Sequence, residues 1–374
     1  MTIDWHPKAQ FPEHLKEADL ADRQYYFSET FFLEHFILEQ CQKQLRKCLF
    51  KPSMYPIVNV IGPTGAGKTA LAKDVAKYCF EEVAKSGETR GLPAVYVEVP
   101  MLGGNQFDWK GLYLEILDVM NAPPREIHRR ANRSNQAGMG GTYTTRHRTE
   151  SEVRKDLEER IMDSHLKVLI LDEIQHLFKY SAKNAETSLD VLKSIANKAN
   201  CQMVLIGTYE NLSMMNWSAQ LKRRTVDVHF RRYLFSGSEK KQFALAYSGL
   251  LAHVPYRIES RLLAAKTVEN FYIYCCGCVG VLKQIIEKSI DELPVNEALT
   301  YDLLMSCAPS PIVLREMAEE IEYGEEFFDD NCLDDVSQLL GLGSNKNKKI
   351  ATISKPKKTK TKPGMRKPER DAVL

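Results

Sequence analysis

Long apolar runs are missing from this chain. No stretch approaches the roughly 20 residues that a membrane-spanning helix needs, and Met1-Thr2-Ile3-Asp4-Trp5 lacks the basic-then-apolar order of a secretory leader. A cytoplasmic location is the resulting expectation. Cysteine is present but unframed: the nine lie at 41, 48, 79, 201, 275, 276, 278, 307 and 332, a scatter that suits reduced thiols. Cys275 and Cys278 form a CxxC with no second pair or CxxH nearby, so burial in a helical region is expected rather than a metal site. Helix-turn-helix and zinc-finger patterns are also lacking, which removes the expectation of sequence-specific DNA reading.

What is present is enough apolar material for a full core: 374 residues, 44% of them hydrophobic, sufficient for one large or two modest domains. The net charge of +2 conceals an uneven distribution. From Ser344 onward, eleven Lys/Arg face only Glu369 and Asp371, so the tail carries +9 and the rest of the chain −7. That tail has too little apolar surface to offset chain entropy, and its charge suits nucleic acid or an acidic partner. Just before it, Glu316 to Asp335 is rich in acids around Phe327, Phe328 and Leu333, a segment suited to binding a partner or to folding back on the tail.

Residues 62 to 69 read GPTGAGKT, after the apolar run Ile57 to Ile61 and before a helical pattern. This is a P-loop in strand-loop-helix context. Gly62, Gly65 and Gly67, with Pro63, Thr64 and Ala66, shape a turn whose N–H groups surround phosphate oxygens at the positive end of the helix that Lys68, Thr69 and Ala70 open. Lys68 is expected on the β- and γ-phosphates of ATP, and Thr69 on Mg²⁺.

A hundred residues later, Val168-Leu169-Ile170-Leu171 ends in Asp172-Glu173, the pattern of a buried parallel strand with acids at its open end. Asp172 is expected to hold Mg²⁺ through water, and Glu173 to orient and deprotonate the attacking water. A carboxylate base of the protein's own points to ATP hydrolysis rather than phosphoryl transfer to a second substrate.

The remaining pattern alternates strands and helices: a strand at Ala94 to Val99, an amphipathic helix at Trp109 to Met120, and a capping box at Thr149-Glu150-Ser151-Glu152 opening a helix to about Ser164. A helix from about Glu186 to Ala199, a strand at Gln202 to Ile206 and a fifth at Val226 to Phe230 complete the series. Five strands with helical crossovers predict an α/β fold with a parallel sheet sandwiched by helices, its ligand at the carboxyl ends of the strands. Thr208, just past the fourth strand, could bridge attacking water and γ-phosphate. Arg223 and Arg224, before the last strand, are placed to reach a neighbouring subunit's ATP as an arginine finger, which implies a homo-oligomer. Lys283, in Gly280-Val281-Leu282-Lys283 of the helical run from Ser238 to about Cys307, could fold onto the γ-phosphate from a lid. The expected organisation is an N-terminal segment and helix at 1–50, a nucleotide-binding core at 51–235, a small helical lid at 236–310, an acidic linker at 311–343 and a basic disordered tail at 344–374.

Over about residues 30 to 307 the arrangement resembles the AAA+ superfamily of P-loop ATPases. Within it the sequence looks most like the transposition regulator ATPases TnsC and TniB, on the strength of IGPTGAGKTALA, LILDEIQHL, VLIGTYENL and the LKRR before the last strand. The resemblance implies a protein that oligomerises on duplex DNA with ATP, as a ring or helical filament, and is loaded by a target-selection protein. It further implies that the protein recruits a transposase and is disassembled by hydrolysis. Lys283 stands where many AAA+ proteins carry Arg.

The residues support the DNA partner separately. Between the second strand and the capping box, Arg125, Arg129, Arg130, Arg133, Arg146 and Arg148 face only Glu126 amid Gly, Asn, Ser and Thr, a basic loop suited to phosphates without base reading. Lys110, Thr142, Tyr143 and Thr145 could add contacts to the DNA backbone. A helicase-loader or insertion-sequence helper ATPase would share most of these motifs, and a nucleotide-gated signalling or secretion scaffold would share the ATP site without the DNA. No spaced acidic triad in a ribonuclease-H-like strand context is present, which argues against the chain being a transposase itself.

Overall fold

The computed structural model describes residues 10–87, 90–101, 107–121, 148–177, 182–212, 225–294 and 297–328. Five parallel strands form one sheet: β1 (Ile57–Ile61), β2 (Ala94–Glu98), β3 (Val168–Asp172), β4 (Gln202–Gly207) and β5 (Thr225–His229), in the order β2-β3-β4-β1-β5. Each lies within a residue or two of its expected span. The alternation of side chains along each strand divides the core in two. Val58, Val60, Val168, Ile170, Val204 and Ile206 face one layer, while Ile57, Leu169, Leu171, Met203 and Leu205 face the other. Both faces are therefore covered, which is why these strands read as continuous apolar runs.

The first layer contains α3 (Phe36–Cys48), reached through α1 (Glu13–Lys16), α2 (Leu20–Tyr25) and a π turn at Tyr26–Thr30, and α4 (Lys68–Ser86). Leu71, Ala72, Val75, Ala76 and Cys79 give α4 the i, i+1, i+4 spacing that keeps one stripe on the sheet. The second layer is α5 (Trp109–Asn121), α6 (Glu150–Asp163) and α7 (Ala182–Ala199). Thr149 closes the capping box that opens α6: its hydroxyl accepts from the Glu152 N–H while the Glu152 carboxylate accepts from the Thr149 N–H.

After the sheet come α8 (Glu239–Ala252), α9 (Ala265–Tyr274), α10 (Val279–Glu292) and α11 (Tyr301–Ser306), the expected helical run. Cys275 and Cys278 are buried between α9 and α10, and burial drives both thiols up, Cys278 to about 12, so they are protonated packing groups. No group of three or more His, Cys, Asp or Glu suited to a metal occurs among the described residues. Nor is any described helix long and apolar enough to cross a membrane.

One expectation meets a different arrangement. The segment from 311 was expected to be an acidic linker, yet its described part is a 17-residue helix, α12 (Pro311–Phe327), belonging to the same unit as the sheet. Pro311 at its first turn has no N–H to leave unsatisfied. Ile321 and Gly324 turn inward, Glu320 and Glu325 are half-buried beside them, and Glu316, Glu319, Glu322 and Glu326 are exposed.

Candidate nucleotide site

The order of the strands makes the site. β4 lies between β1 and β3, so the loop leaving β1, the acids ending β3 and the residue after β4 converge at one edge of the sheet. The Gly62 N–H reaches the Gly207 carbonyl at 3.4 Å, which ties the P-loop to the end of β4.

Positive φ values at Gly65 (74°) and Gly67 (106°) let the loop turn into α4, for which Gly67 is the N-cap. Gly62 is required by space: a Cβ there would stand 2.1 Å from the Phe230 carbonyl oxygen. The Ala66 N–H closes the turn on the Pro63 carbonyl at 3.2 Å. Thr69 and Ala70 lie in the first turn of α4, beside the helix's positive end. Lys68 is buried, its ammonium donating to the carbonyls of Gly62 (3.0 Å) and Pro63 (2.7 Å). Burial lowers its pKa, while Asp172, Glu173 and Glu320 oppose that shift.

Asp172 is 1% exposed. Burial pushes its carboxyl up, and a hydrogen bond from the Thr69 side chain, together with the Glu173 N–H at 2.9 Å, pulls it back. Thr69 and Asp172, the two expected Mg²⁺ ligands, are thus already side by side. The Tyr96 hydroxyl on β2 donates to Asp172 at 3.2 Å, and burial beside Asp172 drives its phenol strongly up. Glu98, level with Asp172 in the sheet register, is raised by burial and by Asp172 and Glu173. Glu173 has φ of 56°, a conformation uncommon outside glycine, and its carboxylate accepts from the Gln175 amide. Thr208 is 8% exposed, and among the described residues its hydroxyl has no hydrogen-bond partner. A buried hydroxyl left unpaired at the head of the sheet costs stability unless something outside the chain satisfies it.

The lid touches the loop directly. The Val281 N–H donates to the Gly65 carbonyl at 3.1 Å, and a Cβ on Gly280 would come within 2.4 Å of that same oxygen. Lys283 is placed differently from the expectation. Its ammonium donates to the carbonyls of Ser28 (3.1 Å) and Phe31 (3.3 Å) and pairs with Glu287 at 3.3 Å, so in this structure it braces the N-terminal segment rather than extending over the loop.

These features fit ATP and Mg²⁺: an anion cradle with a buried ammonium, a paired hydroxyl and carboxylate, and, at the end of the strand between β1 and β3, a buried hydroxyl without a partner among the described residues. Residues 55–215 match the family model of the AAA domain. The fold is α/β, a five-stranded parallel sheet flanked by helices on both faces, with a P-loop at the end of β1. No curated protein matches the sequence. Among solved structures, Cdc6p from Pyrobaculum aerophilum is 15% identical, covers 87% of this chain and 86% of its own, and superposes with a TM-score of 0.48. A Walker-type ATPase of Pyrococcus abyssi is 14% identical over 80% of this chain and 75% of its own, with a TM-score of 0.44. Domain III of the replication initiation protein DnaA from Thermotoga maritima is 12% identical over 79% and 96%, at 0.39. The assignment of the site rests on its own geometry and on the AAA-domain match.

Arg223, Arg224, Arg125, Arg129, Arg130, Arg133, Thr142, Tyr143, Thr145 and Arg146 lie outside the described residues. Arg148 pairs with Asp156 of α6, and Lys110 sits in the first turn of α5. Sequence reasoning missed Tyr96, Gln175 and Glu320. The first had a signal: in Ala94 to Glu98, the polar Tyr96 and Glu98 alternate within a buried strand, which marks one face as lining something polar.

Proposed function

We propose that this chain binds ATP with Mg²⁺ at the P-loop and hydrolyses it. The observation that carries this reading is the Thr208 hydroxyl, buried and without a hydrogen-bond partner among the described residues, at the end of β4, the strand between β1, which leads into the P-loop, and β3, which ends in Asp172. The loop N–H groups, Lys68 and the α4 N-terminus bind and orient phosphate oxygens. Thr69 and Asp172 would hold Mg²⁺, whose charge would offset that of the phosphates. Thr208 orients a water, and Glu173, once released from Gln175, takes its proton. The Glu173→Gln variant tests this assignment, because it removes the base while leaving the phosphate cradle intact: ATP binding should persist and turnover should be lost.

The finer reading is an ATP-dependent transposition regulator that assembles on duplex DNA as a ring or filament and links a target-selection protein to a transposase. Its support is the resemblance of the P-loop, DEIQHL, VLIGTYENL and LKRR segments to TnsC and TniB, and the arginine-rich stretch from Arg125 to Arg148. Arg223 and Arg224 are the proposed trans-acting fingers of such an assembly. Negative-stain microscopy with duplex DNA should show rings or filaments with a non-hydrolysable ATP analogue and none with ADP. Replacing Arg129, Arg130 and Arg133 with Gln should weaken DNA binding and flatten its salt dependence. Particles indifferent to DNA would favour the nucleotide-gated scaffold instead.

A further inference from the structure

The C-terminal helix α12 ends up at the nucleotide site. The Glu320 carboxylate accepts from the Thr64 hydroxyl of the P-loop at 3.4 Å, and the Thr64 backbone N–H also favours its charged form. Lys68 is close enough for the two charges to act on each other. Burial pushes the Glu320 carboxyl up, and Lys68 and the Thr64 donors oppose that by favouring its charged form. An anion of the protein's own therefore stands at the mouth of the loop, on groups whose chemistry is to hold phosphate.

The helix is fastened there by three further contacts. Gly324 lies flat against the Tyr209 ring, so closely that a Cβ would fall within 2.2 Å of it. Glu325 receives two hydrogen bonds from the Arg232 guanidinium, both at 3.0 Å. Phe328 stacks on His229 with centroids 4.0 Å apart, and His229 in turn bonds the Tyr209 hydroxyl at 2.7 Å. Tyr209 follows Thr208 directly, and His229 and Arg232 lie at the carboxyl end of β5. One helix thus bridges the P-loop, the end of β4 and the end of β5.

We propose that α12 is an intramolecular competitor for the terminal phosphate: Glu320 holds the mouth of the P-loop, and a nucleoside triphosphate must displace it, whereas a diphosphate meets it less. This rests on the reading of the loop as a nucleotide site. Like charges a few ångströms apart cannot share Lys68 and the Thr64 donors without cost. Coupling of this kind is reciprocal, so the triphosphate that loses affinity to the helix loosens the helix by the same factor. The site and α12 are thereby linked through one carboxylate.

The test is calorimetric titration of the full chain with a non-hydrolysable ATP analogue and with ADP, for wild type, Lys68→Ala, Glu320→Gln and Gly324→Leu. Glu320→Gln keeps size and removes charge, while Gly324→Leu forces the helix off Tyr209 at a point remote from Lys68. Each should tighten the ATP analogue by roughly fivefold or more, and ADP by less. In wild type, hydrogen exchange in 311–327 should rise with the ATP analogue and change less with ADP. Unchanged or weakened ATP-analogue affinity in Glu320→Gln, with wild type still binding through Lys68, would overturn the competitor role alone. A wild type that binds neither nucleotide, or a Lys68→Ala that binds as well as wild type, would overturn the nucleotide site and the competitor together.

Discussion

Gly62 shows how little freedom the loop has. The atom that a methyl group would strike, at 2.1 Å, is a backbone carbonyl oxygen of Phe230, which cannot rotate aside as a side chain would. Gly62→Ala should therefore cost about 1–3 kcal/mol, as overpacking typically does, read as a lower urea midpoint. Gly87→Ala is the control, since nothing lies within 4 Å of its Cβ and only its φ of 69° is penalised, at about 1–2 kcal/mol. A Gly62→Ala midpoint equal to wild type would mean that the loop does not pack on Phe230 as described. At this scale the placing of residues was legible where spacing encodes it: Lys68, Thr69, Asp172 and Glu173 stand near one another. Lys283 was not legible in the same way, because a lysine on a lid helix can reach several carbonyls, and which ones depends on where Ser28 and Phe31 pack.

Elements carry a second kind of information. The strands and the helices α4 to α7 could be read because continuous apolar runs and i, i+4 stripes report burial directly. Their order in the sheet could not, because nothing in the composition of β4 says that it inserts between β1 and β3. The sequence of α12 reads as a linker because its acids dominate the count, while its packed face, at Met317, Ile321, Gly324 and Phe327, is short and mixed with Glu320 and Glu325. The junction of α3 with the end of the sheet gives a pH prediction. His35 Nδ1 accepts from the Leu38 N–H at 3.5 Å, capping α3, and lies 3.1 Å from the Tyr233 hydroxyl, while burial lowers its pKa from 6.5 to about 4. Its folded pKa is depressed, so between about 6.5 and 4 the unfolded chain binds a proton that the folded chain refuses, and stability falls as pH falls through that window. The Tm advantage of wild type over His35→Asn should accordingly narrow from pH 7 to pH 5. A constant difference would show that His35 does not stay neutral in the fold.

On the scale of the whole molecule, a sheet covered on both faces leaves its carboxyl edge as the place where function collects. The P-loop, the acids of β3, Thr208, the lid and α12 all meet there. Two states of Glu173 follow from that crowding. In this structure its carboxylate is bound to Gln175 and its backbone is left-handed; under the proposed reading, a triphosphate that displaces Glu320 would rearrange those surroundings and free it. The measurement that tests this account most directly is phosphate release from ATP by wild type and Glu173→Gln, each at saturating nucleotide confirmed by titration. The account predicts that both bind ATP and that the variant's turnover falls by two orders of magnitude or more, about the contribution of a general base. Equal turnover in the two proteins would contradict it, and would remove Glu173 as the residue that activates water.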